Sequence, residues 1–521
     1  MQIIAIIAYI QHIINNIITN LIYLIIFSLC IIILLYFIYE GGFTLRKTKI
    51  ICTLGPNAEN YETLKDLAKY MDIGRFNFSH GSYEEHLGKL ELLKKVRSET
   101  GRPIAALLDT KGPEIRTGHN KNKEKINLVD GSTISIVTSD TLCDDKTISV
   151  TYAGIVDDVK VSDTVLIDDG KISLEVLSKT TNSIECKVIN GGLLGEQKGV
   201  NLPGVKINLP DLTEKDIADI NFAIDNDFDI IAASFVRSAK CIKQIKDILE
   251  KRNADIMVIA KIENEEGIAN IDEIIDESDG IMVARGDLGV EVNATELPHL
   301  QKVIIKKCNE KGKVVITATQ MLDSMINNPR PTRAEVTDVA NAIYDGTDVI
   351  MLSGETANGK YPVESVRTMH EIALETEKHI NHYHRMNSLY QTNVKQTITS
   401  IVCKSITIAA NDLNATAIIT PSISGRTAKV ISKYKPNEPI YALSRNEKVV
   451  RQLMLYYGVT PFYFNRPDGS DAIVGDAIVQ LRDLGVIKVG DTVVVAFGRS
   501  VKENEQTIKP HTNTMRVEIV Y

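Results

Sequence analysis

The sequence predicts an α/β protein: a (β/α)8 TIM barrel with a small β-barrel domain inserted in one loop and an α/β domain after it. Three observations carry this reading. From Lys47 onward, eight short apolar runs alternate with amphipathic helical stretches, and near-continuous apolar strands joined by helices indicate a parallel sheet covered on both faces. Between the third strand and the third helix the rhythm gives way to apolar–polar alternation, the period of half-buried strands. After His384 a separate set of helix and strand signals begins.

The expected barrel strands are Thr48–Leu54, Ile73–Phe78, Ile104–Asp109, Asp229–Phe235, Ile256–Glu263, Gly280–Arg285, Val314–Ala318 and Val349–Ser353. Helical patterns between them include Tyr83–Thr100, Glu214–Asp225, Leu297–Lys311 and Val363–His379. The insertion alternates over Ser132–Thr138, Thr147–Tyr152, Thr164–Ile167 and Ser183–Ile189, with turn signals at Asp130-Gly131 and Asp169-Gly170. The last region is expected to hold helices Thr399–Leu413, Ser424–Tyr434, Glu447–Tyr457 and Asp471–Leu484. Strands Ala417–Thr420, Pro439–Leu443, Val493–Ala496 and Thr514–Val520 interleave with them. The expected domains are a barrel from 45–118 and 203–384, an inserted lid at 119–202, and a C-terminal unit at 385–521.

The first 39 residues differ in kind, with no Lys, Arg, Asp or Glu. The 19 residues Leu21–Tyr39 would rise about 28 Å as a helix, close to a bilayer core. Hydropathy alone therefore gives a transmembrane helix, with Arg46, Lys47 and Lys49 keeping the rest cytoplasmic. A second reading outweighs it. The segment has the Ile, Leu, Tyr, Asn and Phe bias of an AT-rich frame, and Glu40-Gly41-Gly42 can encode a purine-rich ribosome-binding sequence just before a TTG start at Leu45. On that reading residues 1–44 are a leader outside the native protein, which is cytoplasmic.

Composition narrows the function. With 44% apolar and 24% charged residues, the 521-residue chain is not mainly disordered or fibrous. A formal net charge of -8 argues against a nucleic-acid partner held by bulk charge. Seven scattered cysteines without a CxxC pair suit free thiols in a reducing compartment, not a disulfide framework or zinc site.

Barrel active sites form at the C-terminal ends of the strands, and here those ends are polar. They carry Arg75, Asn77, Ser79 and His80; Asp109, Thr110, Glu114 and Arg116; Lys261 and Glu263; Arg285-Gly286-Asp287; and Thr319-Gln320. Glu263 and Asp287 offer the hard oxygen ligands that Mg²⁺ prefers, although a rim carboxylate alone more often caps a helix or pairs with Lys. Lys261 shares a strand face with Glu263, placing a cation where charge develops in phosphoryl transfer; an isolated Lys is more often a solvated ion pair. Asn77, Ser79, Asp109 and Thr110 read equally as a monovalent-cation site or as turn-capping hydrogen bonds. The Gly286 backbone could receive an anion, and the Thr319 hydroxyl could relay a proton.

Taken together, the strings are far more specific. KTKIICTLGP (47–56), FNFSHGS (76–82), DTKGPEIRTG (109–118), KGVNLPG (198–204), ASFVR (233–237), KIEN (261–264), DGIMVARGDLG (279–289), ATQMLDSM (318–325), PRPTRAE (329–335) and IMLSGETANGKYP (350–362) resemble pyruvate kinase, in family order over about 46–521. The resemblance implies phosphoryl transfer from phosphoenolpyruvate to ADP, giving pyruvate and ATP, the last step of glycolysis.

It also implies roles. Arg75 binds the substrate phosphate, and the Gly286 and Asp287 backbone takes the substrate carboxylate. Glu263 and Asp287 hold Mg²⁺ or Mn²⁺, and Asn77, Ser79, Asp109 and Thr110 hold K⁺. Asn77, Phe78, Ser79, His80, Arg116 and Lys198 reach the nucleotide. Lys261 stabilises the transition state, and Thr319 contacts substrate and helps protonate the enolate. Glu114 accompanies K⁺ dependence in this family. A homotetramer with a phosphorylated allosteric effector is expected. Thr420-Pro421-Ser422-Ile423-Ser424-Gly425-Arg426-Thr427 resembles the effector phosphate loop, whereas Gly498-Arg499-Ser500-Val501-Lys502 lacks the glycine-rich form tied to sugar bisphosphates. Gly74 and Phe76 depart from the family around Arg75 without touching a ligand. A silent scaffold barrel and a C–C bond-forming barrel enzyme are the competing classes. The intact Lys261, Glu263, Asp287 and Thr319 disfavour the first; Lys198 and Arg116 disfavour the second.

Overall fold

Eight strands too apolar to face water on either side need both faces covered, and here they close into a parallel barrel wrapped in helices. The strands are β1 (Lys49–Thr53), β2 (Ile73–Asn77), β3 (Ala105–Asp109), β4 (Ile230–Ala233), β5 (Met257–Ile262), β6 (Gly280–Ala284), β7 (Val314–Ala318) and β8 (Val349–Leu352). They pair in sequence order, and β8 returns to β1. Every strand residue is buried except Asn77, at the mouth. All eight lie within two residues of the expected bounds. The computed structural model describes residues 46–390, 397–464, 472–498, 502–503, 506–507 and 512–521. The apolar helix expected at Leu21–Tyr39 and most of the Gly498–Lys502 loop lie outside the described residues. Among the described residues no helix is long and apolar enough to cross a membrane.

Helix α1 (Tyr83–Thr100) follows β2 and starts at a reciprocal cap, in which Ser82 Oγ accepts from the Glu85 amide and Glu85 Oε2 from the Ser82 amide. Gly101, at φ 67°, ends it in the left-handed conformation that glycine adopts without strain.

Between β3 and β4, a six-stranded sheet joins Val200–Asn201, Thr164–Ile167, Ile172–Lys179, Ser183–Asn190, Thr133–Val137 and Thr147–Ser149, in that spatial order. Ile126–Leu128 and Gly192–Leu194 form a second, two-stranded sheet. Ile134, Val165, Leu174 and Val188 share one apolar core. Ile172–Lys179 was not among the expected strands, although Ile172, Leu174 and Val176 alternate inward.

The last region holds a five-stranded sheet in the order Val459–Tyr463, Ile440–Ser444, Ala417–Pro421, Thr492–Phe497 and an antiparallel Thr514–Ile519. Val459–Tyr463 was also unexpected. It contains Pro461, which reads as a strand breaker, but it lies at the sheet edge, where a missing N–H is tolerated. The helix expected over Glu447–Tyr457 stops at Gln452 and continues as a 3₁₀ turn, Leu453–Leu455. This region packs under the barrel floor through a core shared by Ile51, Ile230, Ile259, Ile418, Leu453 and Val494. Arg451 pairs with Asp229, just before β4, at 2.7 Å. Lys435 pairs with Asp348, just before β8.

Candidate active site

The barrel register brings the polar strand ends together. Lys261, on β5, is only 8% exposed. Its Nζ lies 3.0 Å from Asp109 Oδ1 on β3 and 3.0 Å from Glu263 Oε1, and it donates to Ser234 Oγ at 2.6 Å. Arg75, on β2, donates from Nε to Asp109 Oδ2 at 2.6 Å and from Nη1 to Thr53 Oγ1 at 2.9 Å. Asp109 thus anchors both cations. Burial opposes its charge, but Arg75 and Lys261 outweigh burial and hold it below the usual carboxylate range. For Lys261, burial lowers the pKa but Asp109 and Glu263 raise it further, so its ammonium stays charged.

Glu263 faces the opposite balance. Burial pushes it up to about 7; Lys261 pulls it down and Asp287 pushes it up again. The Phe235 amide donates to its Oε2 at 2.6 Å, from a residue at φ 54° that only a fixed loop would hold there. Asp287 opens the short helix α2 (Arg285–Glu291) after β6 and keeps an exposed face. Desolvation raises its pKa, Lys261 opposes, and Glu114 and Asp169 raise it further. Two neighbouring carboxylates whose pKa values are both raised are short of positive charge, and a divalent cation would supply it. Among the described residues no group of three or more His, Cys, Asp or Glu could hold a metal, so an ion here would complete its shell with substrate and water.

Thr319 follows β7 at φ 75°, and Gln320 lies at φ 53°. A β-branched residue in that region is strained. Arg285 pins it, with Nη2 donating to the Thr319 carbonyl at 2.7 Å and Nη1 lying 2.7 Å from Asp338. Gly286 packs closely here: a Cβ would sit 3.0 Å from Thr319 Cγ2, so a side chain would crowd Thr319.

The cation candidates Asn77 and Asp109 are register partners on β2 and β3. Asn77 Oδ1 accepts from the Ser79 amide at 3.2 Å, and Thr110 Oγ1 from the Ser234 amide at 3.1 Å. Of the nucleotide candidates, Phe78 is buried and His80 exposed. Arg116 pairs with Glu114 at 2.7 Å and donates to the Gln197 carbonyl at 2.9 Å. Lys198 pairs with Asp168 of the inserted sheet at 3.0 Å. Asn201, at the edge of that sheet, donates to Glu291 of α2 at 2.7 Å. Sequence reasoning missed Ser234, which ties Lys261 to Asp109 and donates to the Thr110 carbonyl at 2.6 Å. Its signal was a lone hydroxyl at the end of β4.

The comparisons place the chain in a family. The family model "Pyruvate kinase, barrel domain" matches residues 45–366, and "Pyruvate kinase, alpha/beta domain" matches 400–518. The chain belongs to the pyruvate kinase family. It is 50% identical over 479 residues to a pyruvate kinase of Geobacillus stearothermophilus, covering 91% of this chain and 80% of that one. It is 45% identical over 479 residues to one of Clostridium acetobutylicum, covering 91% and 100%. A crystal structure of a pyruvate kinase from Cryptosporidium parvum superposes with a TM-score of 0.86 at 38% identity, covering 92% of this chain and 97% of that one. The protein is thus a phosphotransferase with phosphoenolpyruvate, ADP, pyruvate and ATP as substrates and products, acting in glycolysis.

Proposed function

We propose that the cluster around Lys261 is the phosphoryl-transfer site and that each residue acts there as the resemblance implies. The observation supporting this is the buried Lys261 ammonium, 3.0 Å from both Asp109 and Glu263, beside two carboxylates that are short of positive charge. Glu263 and Asp287 hold Mg²⁺ or Mn²⁺. A divalent ion there would neutralise charge on the phosphoryl and enolate oxygens. Asn77, Ser79, Asp109 and Thr110 hold K⁺. Arg75, fixed by Asp109 and Thr53, grips the phosphoryl group, and the Gly286–Asp287 backbone receives the carboxylate. Lys261 keeps its charge beside the transferring group because two carboxylates hold the proton on it. Asn77–His80, Arg116 and Lys198 orient ADP. Thr319, held by Arg285, directs a proton to the enolate carbon through water.

Residues 119–202 act as the lid that excludes water and so prevents wasteful hydrolysis. Barrel segments 45–118 and 203–384 carry the chemistry, and 385–521 carries regulation. There Thr420–Thr427 would take a phosphorylated effector; Thr420 is fully buried and its hydroxyl has no partner. The enzyme is read as a cytoplasmic homotetramer. Replacing Lys261 by Met tests the site: turnover falls at least about a thousandfold while Mn²⁺ binding, followed by its paramagnetic signal, persists. A loss of less than tenfold would remove Lys261 from the reaction.

A further inference from the structure

The mechanism uses the Asn77–His80 segment but leaves open what fixes its shape. His86, in the first turns of α1, is 4% exposed. Its ring stacks on Phe78, with centroids 4.0 Å apart and planes at 10°. Its Nε2 lies 2.9 Å from the His80 carbonyl oxygen. It also meets Phe76 edge-on at 6.4 Å. Between Phe78 and His80 the other backbone bonds are few: the Phe78 amide reaches the Asp109 carbonyl at 2.9 Å, the Ser79 amide Asn77 Oδ1 at 3.2 Å, and the His80 amide the Asn77 carbonyl at 3.3 Å. Gly81, at φ 81°, lets the loop pass close over α1, because a Cβ there would come within 2.8 Å of Glu85 Oε2 and 3.4 Å of His86 Nε2.

We infer that His86 is a positioning residue for ADP, holding the Phe78–His80 backbone through one stack and one hydrogen bond. The contacts fix its chemistry. A carbonyl opposite Nε2 requires the proton on Nε2, which leaves Nδ1 as an acceptor. Nδ1 is buried and has no partner, a cost that a residue serving packing alone would shed by becoming Phe. Burial also lowers the His86 pKa, which keeps the ring neutral. Phe78 is clasped from elsewhere by Phe222, at 5.5 Å between centroids, and by the Lys215 ammonium, 5.7 Å from its ring centroid. His86 thus supplies both a wall of this aromatic pocket and the direct hydrogen bond from α1 to the loop carbonyl.

The inference rests on the reading that Asn77–His80 contacts the nucleotide, so three variants are compared at saturating Mg²⁺ and K⁺. His86→Phe keeps the stack without the donor, His86→Gln returns a donor near Nε2, and His80→Ala tests the nucleotide reading itself. The expected result is that His86→Phe raises the KM for ADP about five- to tenfold, the scale of one hydrogen bond. The KM for phosphoenolpyruvate and kcat stay within twofold, and His86→Gln recovers most of the loss. If His80→Ala weakens ADP while His86→Phe leaves its KM unchanged, the inference falls alone. If neither changes it, the nucleotide reading falls too. Equal losses for ADP and phosphoenolpyruvate, or no difference between Phe and Gln, mean that His86 is structural only and also overturn the inference.

Discussion

The two ends of the barrel both bury charge but balance it differently. At the base, cations match or outnumber acids. Arg46 lies 2.7 Å and Arg102 3.7 Å from Asp72, and Arg97 and Arg451 lie 3.3 Å and 2.7 Å from Asp229. Burial would raise Asp72, but Arg46, Lys49 and Arg102 outweigh it and hold that carboxyl below its usual range; at Asp229 burial wins over Arg97 and Arg451 and the carboxyl is raised. At the mouth, Lys261 and Arg75 face Asp109, Glu263 and Asp287, and the last two acids are raised. The base is a set of ion pairs complete within the chain. The mouth is short of cations, which the proposed Mg²⁺ and K⁺ would supply. Neither buried charge nor a raised carboxyl alone marks function; what sets the mouth apart is that its acids outnumber the cations beside them.

The comparison can be broken in three ways. The largest expected effect is ionic. Replacing K⁺ by Na⁺ should cut turnover at least about tenfold, as charge fixed at the mouth controls the chemistry, and should leave the melting temperature unchanged. Full activity in sodium alone would remove the K⁺ site. Next, Asp229→Asn strips the shared carboxylate from Arg97 and Arg451 and should cost about 3 kcal/mol of stability. Thermal melting reads that loss, and kcat should remain within twofold. A kcat that fell with stability would make the base part of the catalytic apparatus.

The smallest effect is a proton linkage. Glu263, raised to about 7 in the folded protein, holds a proton below that pH that a divalent ion must displace. Mg²⁺ affinity should therefore fall about tenfold from pH 8 to pH 6. Because this acid is raised relative to the unfolded chain, it binds more protons when folded. Its contribution to metal-free stability should grow as pH falls through 7. Calorimetric Mg²⁺ titration in two buffers of different ionisation heat checks this, and no proton release at pH 6 would contradict it.

Much of the barrel was legible because a strand buried on both faces must be apolar throughout, and such runs are conspicuous. The residues of the mouth were visible as polar letters at strand ends. The edge strand at Pro461 was not, because propensity cannot tell an edge from a centre. Ser234 and the tie from Arg285 to Thr319 also escaped. Each acts through a contact to a distant segment, such as the 2.6 Å bond from Lys261 to Ser234, and no local pattern encodes a partner.

By itself the sequence determined the order of strands and helices, the family strings and the residue types at each strand end, because periodicity and composition are local. Only the tertiary structure decided which acids are paired and which stay short of a cation. That depends on distances and burial across the barrel: Asp109, between Arg75 and Lys261, is held below the usual carboxylate range, whereas Glu263, beside Asp287, is pushed up to about 7.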